Sequence, residues 1–162
     1  VNHADTSYVV VVEFEQRTRP QLTLVPAEAF HALASALNLS VSREWDAVFA
    51  HLALAESLAT DTNAVLFRAQ VIGNRAVALA ATGDVWEADR EARRGLQLWP
   101  ENLYAHYALA VVAYRRGMLS EASKEVGVVL QIKPDHPGAQ RLANLIHVAR
   151  AGAAGAPGTP PK

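Results

Sequence analysis

The chain repeats itself at a fixed interval. Gly83 recurs as Gly117, Glu87-Ala88 as Glu121-Ala122, Leu96-Gln97-Leu98 as Leu130-Gln131-Ile132, and Pro100 as Pro134. Upstream, Ala76-Val77 matches Ala110-Val111, and every match lies 34 residues on. A period of this size marks a helical repeat array, in which a unit too small to bury its own apolar face stacks on the next.

Each matched position has a mechanical reason. Gly83 and Gly117 follow apolar helical runs, where a chain reversing between antiparallel helices needs a left-handed residue. Ala88 and Ala122 fall early in the second helix of each unit, where a small side chain permits close approach. Pro100 and Pro134 end that helix, because proline lacks the N–H and restricts the residue before it. The set of turn glycine, small alanine and terminal proline resembles the tetratricopeptide repeat, with units at 69–102 and 103–136. Ile72 and His106 stand where that family carries tryptophan. Its usual leucine is Leu109 in the second unit and Arg75 in the first. The resemblance implies an all-α superhelical array of antiparallel helix hairpins.

Composition is compatible with one such domain. The 162 residues are 51% apolar, enough for one sizeable core, and carry no cysteine. The absence of cysteine excludes disulfides, a thiol nucleophile and cysteine zinc sites within the chain. Basic and acidic residues number 15 and 16, which points away from a nucleic-acid partner. No apolar run approaches the roughly 18 residues that span a bilayer, so membrane insertion is not expected. The compartment stays open.

Five segments are expected. Residues 1–25 read as a short β-hairpin or the remnant of an upstream domain. Tyr8 to Glu15 is β-branched and aromatic, Gln16 to Pro20 is a polar turn, and Gln21 to Val25 alternates. Its exposed edge suits self-association, or pairing with residues upstream of Val1. Residues 26–62 read as a divergent capping hairpin, with Phe30, Leu33, Ala34 and Leu37 striping its first helix and Trp45 opening its second. This pair is out of the 34-residue register, since Phe49 stands where a turn glycine belongs. Residues 63–136 hold the two repeat units. A terminal helix at 137–150 should bury Leu142, Leu145, Ile146 and Ala149, and residues 151–162 form a Gly-, Ala- and Pro-rich tail.

Catalytic chemistry is sparse. The six histidines show no metal-ligand spacing, and no phosphate-cradling glycine loop or nucleophile elbow occurs, so no catalytic, cofactor or metal site is expected. Glu87, Asp89 and Glu91 alternate with Arg90, Arg93 and Arg94 as ion pairs at helical spacing. One enzyme-like echo is Asn2-His3-Ala4 before a valine strand, which weakly resembles the histidine strand of papain-like and transglutaminase-like hydrolases. On that reading the chain would be the C-terminal helical domain of a larger enzyme.

The primary expectation is a protein-interaction scaffold without catalysis of its own. In the family the first helix of each unit lines a groove. The resemblance therefore places Asn74, Val77, Tyr104, Tyr107, Val111, Tyr114 and Arg115 against a protein or peptide partner. Members that hold acidic C-terminal tails clamp the carboxylate with lysine, asparagine and arginine. Here Gly73, Val77, Tyr107 and Val111 take the matching places, and only Asn74 is of that kind. An apolar or aromatic peptide is the implied ligand.

Overall fold

Alternating apolar patterning and turn residues dictate helices along most of the chain, and a computed structural model shows them. It describes residues 9–10, 23–60 and 62–154. Seven α-helices follow one another there: α1 (Ala27–Ser42), α2 (Trp45–Leu58), α3 (Val65–Thr82), α4 (Val85–Leu98), α5 (Leu103–Arg115), α6 (Leu119–Ile132) and α7 (Pro137–Ala154). A 3₁₀ turn, Thr62–Ala64, leads into α3. Ahead of α1, Val9–Val10 (β1) and Thr23–Leu24 (β2) pair antiparallel, Val9 opposite Leu24. The rest of the expected hairpin lies outside the described residues, as do the His3 lead-in and the end of the tail.

The two repeat units fold as α3–α4 and α5–α6. Gly83 and Gly117 take the left-handed conformation the turn requires, at φ 99° and 73°. α4 and α6 stop two residues before Pro100 and Pro134. α5 lies against both α3 and α4, as stacking of one unit on the next demands.

The hairpin α1–α2, set apart by its sequence register, makes the same turn. Glu44 N–H donates to Leu39 C=O, Asp84 N–H to Leu79 C=O, and Met118 N–H to Ala113 C=O. One residue on, Trp45, Val85 and Leu119 each donate to the left-handed residue two back, at 2.9, 2.9 and 3.0 Å. Arg43, at φ 61°, does without glycine what Gly83 and Gly117 do. Counting from the turns aligns burial as well: Ala36, Ala76 and Ala110 are buried, and so are Val48, Ala88 and Ala122. Arg43 precedes Gly83 by 40 residues rather than 34, and the six extra residues fall in the 59–64 connection and the longer α3.

Two stripes expected from periodicity are rephased. α1 buries Ala29, Ala32, Leu33 and Ala36, while Phe30 and Leu37 are exposed. α7 buries Leu142 and Ile146 but leaves Leu145 half exposed. In α1 small alanines mark the packed face, because close helix approach selects small side chains over large ones. Val25, expected to belong to the N-terminal segment, is 2% exposed and packs in the core of α1–α2 with Leu52, Phe67 and Val71.

Candidate functional site

The first helices of the hairpins, α1, α3 and α5, share a register fixed by their turns. Six residues before each left-handed residue stand Leu37, Val77 and Val111, and two residues before it stand Val41, Ala81 and Arg115. On α3 and α5 these positions include the expected site residues Val77, Val111 and Arg115.

The structure brings the expected residues together in two groups. On α3, Val77 packs beside Ala76, Ala105 and Ala108. Asn74 is 9% exposed, and its Nδ2 donates to Gln70 C=O at 2.9 Å, so its amide is already engaged within its own helix. On α5, Tyr107, Val111 and Tyr114 are half-buried against the α5–α6–α7 core with Ala139 and Ile146. Tyr104 is half-buried, with its Cβ 3.0 Å from where a Cβ on Gly73 would stand. Arg115 is exposed, and its Nη1 is 3.4 Å from where a Cβ on Gly83 would stand.

The junctions between units are built from a swapped pair. At the α3–α5 junction Gly73 makes room, and Asn102 and Tyr104 fill it. At the α5–α7 junction, 34 residues on, Tyr107 replaces Gly73 and Gly138 replaces Tyr104. The Tyr107 hydroxyl covers Gly138 so closely that a Cβ there would stand 2.5 Å away. Asn102, fully buried, donates to Ala69 C=O at 2.6 Å and accepts from Ala105 N–H at 3.2 Å, capping α5. His136 takes that role for α7: its Nδ1 accepts from Ala139 N–H at 3.0 Å, and its ring lies 4.8 Å from that of Tyr107. Burial pushes the Tyr107 phenol pKa up, opposed by the nearby Arg141 charge. Burial also lowers the pKa of His136, with Lys133 adding to the effect.

Charge sits mainly behind this face. Arg75 holds Glu56 of α2 at 2.7 Å and Glu91 of α4 at 3.2 Å, and Arg94 meets both carboxylates. This accounts for the arginine in place of the family leucine: it fastens three helices. Burial alone would raise the Glu56 pKa, but bonds from Arg75 and Arg94 outweigh it and lower it. In the second unit His106 bridges Glu125 at 2.7 Å and Pro100 C=O at 2.9 Å. Both ring nitrogens face acceptors, so the imidazolium satisfies both bonds. Burial opposes that charge, yet the Glu125 and Pro100 bonds raise the pKa of His106. Arg93–Asp89 and Arg90–Glu87 form the expected surface pairs on α4. Among the described residues no cluster of three His, Asp or Glu could hold a metal. No described helix is long and apolar enough to cross a membrane.

Three solved structures share this arrangement of helices. A TPR-like protein from Chlorobium tepidum superposes with a TM-score of 0.64 at 21% identity, over 79% of this chain and 95% of that one. The first TPR domain of human RPAP3 gives 0.64 at 16%, over 81% and 98%. The Arabidopsis OM64 TPR domain gives 0.59 at 14%, over 75% and 96%. The fold is that of a tetratricopeptide-repeat domain. No protein-family model matches the sequence, and no curated protein matches it. The TPR-like fold is thus carried by geometry: α1 to α6 are its three hairpins and α7 its closing helix.

Sequence reasoning expected α1 and α7 as capping helices, but not that the α1–α2 turn is equivalent to those of the two repeat units. The left-handed Arg43, in a position where glycine is the recognisable signal, hid the first turn.

Proposed function

We propose that the protein is an interaction scaffold that holds a peptide segment of a partner along the face of α3 and α5, with no catalysis of its own. The observation that carries this reading is the ordered series of first-helix positions on a TPR-like fold, ending in half-buried tyrosines and an exposed arginine. Tyrosine and arginine are the side chains most often found as binding anchors, since both bring large contact area with directional polar groups. The site comprises Asn74, Val77, Tyr104, Tyr107, Val111, Tyr114 and Arg115. Asn74 and Tyr107 shape its floor, and Tyr104, Val77 and Arg115 contact the partner. Apolar and aromatic peptide side chains fit it, since no carboxylate clamp stands at the family positions.

The test uses peptides selected on the intact protein. Tyr104→Ala and Arg115→Ala should each weaken a selected peptide about tenfold, or about 1.4 kcal/mol, with unchanged helical circular dichroism. Selected peptides that ignore both changes would place binding elsewhere on the molecule.

A further inference from the structure

The contacts that join one unit to the next form regular rows. At the α3–α5 junction Gly73 faces Asn102 and Tyr104, and at the α5–α7 junction Tyr107 faces His136 and Gly138. Val77 lies in one cluster with Ala105 and Ala108, and Val111 in one with Ala139 and Leu142. Ala80 likewise joins Val112, and Tyr114 joins Ile146. Each pairing recurs 34 residues on. The next members of the three forward rows are Arg141, Leu145 and Val148 of α7. Leu145 is 51% and Val148 67% exposed, and Arg141 is exposed with no ion pair among the described residues. A helix that ends an array stays soluble by turning a wet face outward. The outward face of α7 instead carries the apolar residues of an internal junction.

The first hairpin is open on its other side. Its turn is equivalent to that of α5–α6, and Arg43 precedes Gly117 by 74 residues. Phe30, His31, Ala34 and Asn38 therefore hold the places of Tyr104, Ala105, Ala108 and Val112, the residues through which α5 packs back on the preceding unit. On α5 these are buried or half-buried. On α1, Phe30 is 42% exposed, His31 and Asn38 are exposed, and Ala34 is half-buried. Glu28 takes the place of Asn102, exposed and without an ion pair among the described residues.

We infer that the two ends of the array bind each other between copies: the α7 stripe of one molecule seats on the back of α1 in a second copy, head to tail. The junction register sets the pairs. Arg141 meets Glu28 and Phe30 of the second copy, as Gly73 meets Asn102 and Tyr104. Leu145 meets His31 and Ala34, and Val148 meets Asn38. The guanidinium serves both of its neighbours, with a charge-assisted bond to the carboxylate and a flat face for the ring. The polar His31 and Asn38 beside Ala34 suit reversible association, since obligate interfaces are more apolar. None of the proposed peptide-site residues takes part. Because the two surfaces differ, each added copy leaves one α1 end and one α7 end free, so growth continues unless the rotation closes a ring.

Sedimentation equilibrium on the full chain, up to about 1 mM, tests this. The weight-average mass should climb with concentration. Arg141→Glu and Glu28→Arg each set like charges opposite one another, so each alone should raise the dissociation constant about tenfold or more. An equimolar mixture of the two should restore association, because every α7 end then finds an α1 end of opposite charge on the other variant. Leu145→Asp/Val148→Asp should abolish association. All four positions are exposed, so unfolding midpoints of the variants should match the wild type. A chain that stays monomeric over the whole range overturns the proposal. So does a dimer that Glu28→Arg leaves intact, which would pair α7 with α7. Association that survives all three variants would place it on another surface, such as the N-terminal strands. Single variants that block association without rescue in the mixture would deny that residues 28 and 141 meet.

Discussion

At the scale of single residues, the same substitution should have opposite signs at two glycines. A Cβ at Gly73 would stand 2.7 Å from Asn102 Oδ1 and 3.0 Å from Tyr104 Cβ, both in a packed junction. Gly73→Ala should therefore destabilise by about 1–3 kcal/mol in urea unfolding. Gly127, inside α6, has nothing within 4 Å of a new Cβ. Gly127→Ala should stabilise by about 0.5–1 kcal/mol through lower unfolded-state entropy. Two histidines set a pH window by the same local logic. The pKa of His106 is raised in the fold, so its contribution is complete below the unfolded value and is lost as pH rises through the folded one. That of His136 is lowered, so its contribution is present above the unfolded value and is lost as pH falls through the folded one. Stability should peak between the two, around the ordinary histidine pKa, in thermal unfolding across pH. His136→Asn, which copies the Asn102 cap, should remove the acid limb, and His106→Gln should flatten the alkaline one. An unaltered pH profile in both variants would break this assignment. The histidine positions were legible in the sequence. Their partners were not, because Glu125 and Pro100 meet His106 only through helix stacking.

At the scale of elements, Arg75 shows how a departure from a family pattern becomes a fastening. Glu91 is 7% exposed and Glu56 faces it across the same guanidinium. Arg75→Leu restores the residue type of the second unit at position 109 but leaves Glu91 buried with only part of its pairing. It should cost about 1–3 kcal/mol, below the full cost of breaking a buried pair because water reaches Arg94. Arg75→Leu/Glu91→Leu should recover most of that loss, and a double-mutant cycle in urea would measure the coupling. Additive losses would mean the pair contributes nothing as a pair. Most helices were legible from the sequence: the glycines, the prolines and the alanines each impose a local rule that stacking does not override. The α1 stripe was misphased for a physical reason. Phe30 and Leu37 obey helical periodicity as well as Leu33 does, and only packing against α2 selects Ala29, Ala32 and Ala36 as the buried face. The first turn was expected as a break, but its equivalence to the Gly83 and Gly117 turns was hidden because Arg43 accepts the left-handed strain that glycine avoids.

At the scale of the whole molecule, three equivalent turns set the register of α1, α3 and α5, and α5 packs on both α3 and α4. α3, α5 and α7 contain no Asp or Glu, and ion pairs join α3 to α2 and α4, and α5 to α6. The proposed site residues on α3 and α5 come from the family resemblance. The junctions beside them, the Asn102 cap and Tyr107 over Gly138, were not legible, because they form only when the units stack. The most direct measurement is an amide chemical-shift map of the full chain, titrated with a peptide selected on it. The account predicts shifts concentrated at Val77, Tyr104, Val111 and Arg115. Shifts confined to the outer faces of α4 and α6, around the exposed Trp86, would contradict it.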